Sequence, residues 1–264
     1  MDYQLNGKTA LITGSTAGIG FAIAQLLAQE KATVIINGRT EQRVSEAISK
    51  IKLNCPSAKL IPMAADLSKP QGFETIIHES PSVDILVNNL GIYEVKKFND
   101  ISDDDWLRLF NINVMSGIRL SRHYLPAMLK RNWGRIIFIS SESGLQIPVE
   151  MIHYGMTKSA QLAVARGIAE TTAGTNVTVN SVLPGPTSSE GVKQFIDNVA
   201  KEQNLKPEQI EKEFFSSVRP TSLLKRFITP EEVAALVAYL CSPLSSGTNG
   251  AALRVDGGVV RTMA

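Results

Sequence analysis

The strongest constraint on this chain is an alternation that runs through it, in which short β-branched apolar runs are separated by longer amphipathic stretches. The runs are Thr9 to Ile12, Thr33 to Ile36, Leu60-Ile61, Val83 to Val87, Arg135 to Ile139, Val177 to Val182 and Ala252 to Val255. Helical patterns fill the intervals: Gly18 to Gln29, Glu41 to Leu53, Gln71 to His78, Asp103 to Lys130, His153 to Thr172 and Pro230 to Cys241. Thr229-Pro230-Glu231-Glu232 opens the last of these as an N-cap, a proline at N1 and a capping-box glutamate. Strands that are apolar on both faces and separated by helices belong in a parallel sheet covered on both sides. Right-handed crossovers then lead to an α/β, doubly wound parallel sheet of about seven strands. These elements account for nearly all of residues 1–264, so a single domain is expected. One segment departs from the rhythm. Residues 188–224 are polar and helical in flavour yet carry Phe195, Ile196, Phe214 and Phe215, and a connection that long is usually functional or mobile.

Composition narrows the function classes. The 264 residues are 44% hydrophobic, enough for a substantial core, and Lys+Arg 27 against Asp+Glu 25 leaves a net charge of only +2. With no block of like charge, neither nucleic acid nor an anionic membrane is an expected partner. Met1 to Lys8 does not read as a signal peptide, and runs such as Val233 to Leu240 fall well short of the ~20 residues that cross a bilayer. Cys55 and Cys241 form no metal or redox spacing, and His78, His123 and His153 are scattered, so no metal site is expected. A reduced, cytoplasmic compartment is the simplest reading.

Directly after the first run comes Thr13-Gly14-Ser15-Thr16-Ala17-Gly18-Ile19-Gly20. Gly14 permits a tight exit from the strand, Gly18 lets the backbone approach a pyrophosphate, and Gly20 lets the helix pack closely on the sheet. The free N–H groups and partial positive charge of the helix N-terminus then face the phosphates. At the end of the second run, an NAD-preferring site places an acidic side chain near the ribose. Here Arg39 stands there instead, suited to a 2′-phosphate, or else simply solvated in its loop. NADP(H) is thus favoured over NAD(H).

Tyr154 and Lys158 stand at i and i+4 on one helix face. A phenol with a pKa of ~10 is a poor acid or base near neutrality, and a neighbouring ammonium draws that value down. Any helix can hold such a pair by chance, but here it follows a series of ordered motifs. In these the chain resembles the short-chain dehydrogenase/reductase family over nearly its whole length. The glycine loop matches Thr13 to Gly20, the acidic residue after strand three matches Asp66-Leu67, and the Asn-Asn-Ala-Gly turn matches Asn88-Asn89-Leu90-Gly91. Pro184-Gly185 and Asp256-Gly257-Gly258 match the two later turns.

The resemblance implies a Rossmann-type fold and an oxidoreductase that moves a hydride between a nicotinamide and a carbonyl or secondary alcohol. Tyr154 would exchange the proton, Ser141 would orient the oxygen, and Lys158 would tune Tyr154 and hold the ribose. Asn113 would anchor a water linking Lys158 to solvent. Ser140 and Ser141 point to opposite faces of an extended strand, and the Ser-x-x-Gly pattern ending at Gly144 selects Ser141. The cofactor would meet Gly14, Ser15, Thr16, Gly18, Ile19, Gly20, Arg39, Asp66, Leu67, Asn89, Gly91, Tyr154, Lys158, Pro184, Gly185 and Thr187, with Ser188 and Ser189 as alternatives to Thr187. Leu90 departs from the usual small alanine.

The pocket would draw on Ile92, Tyr93, Ser143, Gln146 and His153, with 188–224 as a lid. A 3-oxoacyl thioester on an acidic carrier would call for a basic rim, for which Lys130, Arg131 and Arg135 are candidates. A general ketone or a sugar- or steroid-like alcohol ranks level with it. The alternative class is an NADP(H)-binding sensor without turnover, but its relatives lose the Tyr or Lys present here. The resemblance also implies a homo-oligomer, a dimer or tetramer built on the long helices.

Overall fold

The computed structural model describes residues 2–263, the Phe195 side chain excepted, so the aromatic expected at that position lies outside the described residues. Seven parallel strands form one sheet in the order β3-β2-β1-β4-β5-β6-β7. They are β1 (Thr9–Ile12), β2 (Thr33–Gly38), β3 (Lys59–Ala64), β4 (Ile85–Asn88), β5 (Gly134–Ile139), β6 (Val177–Pro184) and β7 (Ala252–Val255). The order reverses between β1 and β4, because the chain runs outward to β3 and then crosses back to place β4 on the other side of β1. This is the crevice in which doubly wound sheets bind ligands, at the C-terminal ends of their strands.

Alternation along the strands divides the core in two. Ala10, Ile12, Ile137 and Ile139 pack under α1 (Gly18–Gln29), α2 (Glu41–Asn54) and α9 (Pro230–Cys241). Leu11, Ile136 and Phe138 face the other way, against α3 (Pro70–Glu79), α5 (Ser116–Lys130) and α6 (Ile152–Glu170). The capping box expected at Thr229 and Glu232 is formed at the start of α9.

The single helix expected from Asp103 to Lys130 is instead α4 (Asp103–Phe110), a π turn (Asn111–Met115) and α5. One extra residue in that turn offsets the two helices and frees backbone groups beside α6. Segment 188–224 folds into α7 (Glu190–Gln203), α8 (Pro207–Glu213) and a second π turn, Phe214–Val218. Phe214 and Phe215 pack into an aromatic cluster. Phe214 stacks on Phe227 with centroids 5.0 Å apart, and Phe215 meets the same ring edge-on at 5.0 Å.

Candidate active site

The glycine loop is braced by Asn37 at the end of β2. Its side-chain oxygen accepts from the Gly14 N–H (3.1 Å), and its amide donates to the Met63 and Ala65 carbonyls (3.2 and 3.1 Å). One buried side chain therefore ties the loop after β1 to the loop after β3. The Asn37 main chain meanwhile engages both the N–H and the hydroxyl of Ser15, at 2.9 Å each. Ser15 is fully buried and offers a cofactor neither group, which corrects its expected place among the cofactor contacts.

The loop otherwise has the features a dinucleotide requires. Gly18 begins α1 at φ +55°, a left-handed conformation that a side chain would strain. A Cβ on Gly20 would collide with the Asn89 amide and the Gly14 carbonyl. Ala17 caps α1 without a side-chain hydrogen bond, leaving the first-turn N–H groups for an anion. Ser189, which caps α7, approaches Gly18, so the start of the expected lid lies on the phosphate loop. Beside it, the Ser68 hydroxyl and N–H hold the Asp66 carboxyl below the usual range, with Lys69 and Arg39 adding to the effect. Arg39 is exposed and Leu67 is buried.

Thr13 and Asn89 lock the turn after β4 onto the turn after β1. The Thr13 hydroxyl accepts from the N–H groups of Asn89 and Leu90 (2.9 Å each), and the Asn89 amide donates to the Thr13 carbonyl at 2.8 Å. Leu90 is accommodated by packing on the second core layer. Next to it, Gly91 comes close to both Lys158 and Asn113; a Cβ there would lie 3.3 Å from the Lys158 ammonium. Thr187 donates its hydroxyl to the Gly185 carbonyl (2.9 Å), and Gly185 itself abuts the Asp256 backbone beside Pro184.

At the C-terminal end of β5 the two serines separate as strand geometry demands. Ser140 donates its hydroxyl to the Lys158 carbonyl (2.8 Å), whereas the Ser141 hydroxyl accepts from the Ser143 N–H (3.1 Å) and lies beside the Tyr154 phenol. Tyr93 meets the Tyr154 ring edge-on at 6.2 Å. Burial pushes Tyr154 up to about 12, although the Ser141 hydroxyl pulls it back. Burial also pushes Lys158 down, to about 7. Its ammonium lies 5.5 Å from the Tyr154 ring centroid and donates to the Ile139 carbonyl (3.0 Å) and to the Gln161 side chain (3.1 Å). Asn113 turns its side chain to the Ile92 backbone and to Thr157, while its carbonyl accepts from Gln161 at 2.7 Å. Ser141, Tyr154, Lys158 and Asn113 thus converge on one small volume above the sheet.

The family model described as short chain dehydrogenase matches residues 8–200. The chain belongs to the short-chain dehydrogenase/reductase family. It is an oxidoreductase acting between CH–OH and C=O. It is 50% identical to the uncharacterized oxidoreductase YvaG of Bacillus subtilis, over 100% of both chains. It is 34% identical to the 3-oxoacyl-[acyl-carrier-protein] reductase FabG of Aquifex aeolicus, covering 98% of this chain and 100% of that one. Among solved structures, L-sorbose reductase from Gluconobacter frateurii, complexed with NADPH and L-sorbose, superposes with a TM-score of 0.93 at 29% identity and full coverage of both chains.

For this short-chain dehydrogenase, two further expectations need correction. His153 is fully buried against the Trp106 ring (5.9 Å), so it forms part of the packing between α4 and α6 and not a pocket wall. Lys130, Arg131 and Arg135 do not rim the site. They flank the start of β5, the opposite edge of a parallel sheet from Ser141, and Arg135 is buried, donating to the Asn176 and Ser242 carbonyls.

Three buried side chains that brace this site escaped the sequence reading. Asn37 gave no signal beyond its position after an apolar run. Gln161 did give one, since Tyr154, Lys158 and Gln161 fall at i, i+4 and i+7 on a single helical stripe. Glu142, next to Ser141, is 3% exposed and pairs with Arg219 from the end of segment 188–224 (3.1 Å), which in turn reaches Glu150 (3.0 Å). A residue 77 positions away is invisible to local pattern.

Proposed function

We propose that this chain reduces a small ketone, or oxidises the corresponding secondary alcohol, with NADP(H), Tyr154 exchanging the proton. The reading rests on one observation, the convergence of Ser141, Tyr154 and Lys158 beside Gly91, in the turn that Thr13 and Asn89 tie to the glycine loop. Gly14, Thr16, Gly18, Ile19 and Gly20 would hold the dinucleotide, Asp66-Leu67 would meet its adenine, Arg39 a 2′-phosphate, and Pro184, Gly185 and Thr187 the carboxamide; when bound, the nicotinamide would supply or accept the hydride. Tyr154 gives its phenolic proton to the developing alkoxide, and Ser141 donates a hydrogen bond to the same oxygen. Lys158 stabilises the phenolate left behind. Burial keeps Tyr154 protonated throughout the neutral range, so it can act as an acid; Lys158 carries its charge fully only on the acid side of about 7. Reduction is therefore expected to weaken as pH rises through about 7, and kcat/KM measured across that range checks it.

The preference for NADP(H) is supported by exposed Arg39 and by the NADPH in the L-sorbose reductase complex. A substrate free of a carrier protein is supported by the position of the basic residues at the far edge of the sheet. The β5–α6 connection, which leads from Ser141 to Tyr154, exposes Leu145, Ile147 and Val149, an apolar flank for a free ketone.

Consumption of NADPH and NADH against free ketones, ketoses and carrier-bound 3-oxoacyl thioesters tests the proposal. NADPH-dependent turnover of a free ketone is expected. Arg39→Ala is expected to lower kcat/KM with NADPH by about 10- to 100-fold, the loss of a charge-assisted contact, and to leave NADH little changed. No turnover of any ketone or alcohol in either direction would sink the reading.

A further inference from the structure

Resting on the reading above, we propose that Gln161 is a positioning residue of the active site, its side-chain amide fixing the Lys158 ammonium to the turn that carries Asn113. The amide spans the two groups by itself. Its oxygen accepts from the Lys158 ammonium (3.1 Å), and its nitrogen donates to the Asn113 carbonyl (2.7 Å). The partners dictate the orientation, because an ammonium can only donate and a carbonyl can only accept. By the family resemblance a water anchored at Asn113 would link Lys158 to solvent; here a protein side chain joins Lys158 and the Asn113 carbonyl directly.

Burial argues against a packing role alone. Gln161 is 1% exposed on the inward stripe of α6, where an aliphatic side chain would fill space without an amide to satisfy. Both ends of the amide are satisfied, and both partners belong to the site. Lys158 has three N–H groups; the Ile139 carbonyl and Gln161 take two, which leaves one for Tyr154 or a bound ribose. Without Gln161, the buried ammonium keeps a single fixed partner, and the lysine stem is free to turn away from the phenol. The titratable groups that act on the neighbouring Tyr154 phenol are Glu142 from the β5–α6 connection, Arg219 from the segment after α8, and Tyr93 from the loop after β4, whereas burial is what acts on Lys158. Substitution at 161 leaves all three in place.

The test uses Gln161→Leu and Gln161→Glu with two readouts. The first is the pH profile of kcat/KM for ketone reduction at saturating NADPH. The second is urea unfolding of the ligand-free protein from about pH 6 to 10. Leucine removes a hydrogen bond to a buried cation, so Lys158 is expected to lose its proton about one to two pH units lower. Glutamate sets a carboxylate beside the cation and is expected to move the loss upward. The alkaline fall in kcat/KM should therefore shift down in the first variant and up in the second.

The unfolding readout carries the same sign. Lys158 binds its proton more weakly folded than unfolded, so the unfolded chain holds more protons and stability rises with pH between the two values. That rise should begin at lower pH in Gln161→Leu and at higher pH in Gln161→Glu. Folded variants whose profiles coincide with the wild type in both readouts would overturn the proposal. If Gln161→Leu does not fold, the upward shift in Gln161→Glu decides it. If the wild type turns over no ketone, the functional reading falls, and the unfolding curves still judge Gln161.

Discussion

Tyr154→Phe is expected to lower kcat/KM for ketone reduction by about 10²- to 10⁴-fold, the range that a positioned general acid contributes. The substitution is a clean one. The ring keeps its edge-on contact with Tyr93, and the hydroxyl that is lost faces the Ser141 side chain, not a structural partner in the core. Neither Lys158 nor the glycine loop depends on that hydroxyl for its hydrogen bonds. NADPH should accordingly bind the variant as well as it binds the wild type, which fluorescence titration measures. The loss should fall on kcat more than on KM, because the missing proton transfer belongs to the transition state. A variant keeping a tenth or more of the wild-type rate would assign the proton to another group.

Arg219→Leu is expected to cost about 3–5 kcal/mol of stability, the penalty for leaving one charge of a buried pair without its partner. In a chain of this size that corresponds to a fall in Tm on the order of 10 °C. The half-buried partner is not the problem, since Glu150 can turn to water. Glu142 cannot, being 3% exposed with one carboxylate oxygen already lacking a partner. Burial holds its pKa above the usual value even with Arg219 present, and removing the guanidinium raises it further. The sign of the pH effect follows. A glutamate that binds its proton more tightly folded than unfolded loses stability as pH rises from its unfolded value through its folded one. The variant should thus approach the wild type in mildly acid solution, where Glu142 is protonated, and diverge from it at neutral pH. Thermal melts in the two conditions measure this, and an equal gap in both would exclude Glu142 as the responsible group. Adding Glu142→Gln to Arg219→Leu should recover part of the lost stability.

The strand–helix rhythm carried the fold because it follows from periodicity alone. Edge strand β3 was seen only as Leu60-Ile61 because its flanking residues, Lys59 and Pro62, are exposed and lack the apolar signal. The π turn at Asn111–Met115 was hidden for a different reason, in that a single extra residue per turn leaves hydrophobic spacing almost unchanged over so short a span. Within the site, the residues placed by helix and strand geometry were legible. That Ser140 and Ser141 face opposite ways followed from strand alternation, with the Ser-x-x-Gly pattern selecting Ser141, and the Tyr154–Lys158 stripe followed from helical spacing. What could not be read were partnerships between distant segments: Asn37 with the loops of two other strands, and Arg219 with Glu142. His153 was misjudged because sequence adjacency to Tyr154 says nothing about direction. On a helix, neighbouring residues diverge by about 100°, and His153 turns into the core while Tyr154 turns toward Ser141 and Tyr93.

The brace at Asn37 has a corollary for coenzyme choice. It fixes the geometry of the pyrophosphate cradle, whereas Arg39, two residues on, makes no hydrogen bond or ion pair among the described residues. The residue that would choose between the two nicotinamide dinucleotides is thus mechanically uncoupled from the residue that shapes the seat they share. Under the NADP(H) reading proposed above, substitutions at position 39 are expected to shift coenzyme preference while the hydrogen bonds that shape the shared seat stay in place.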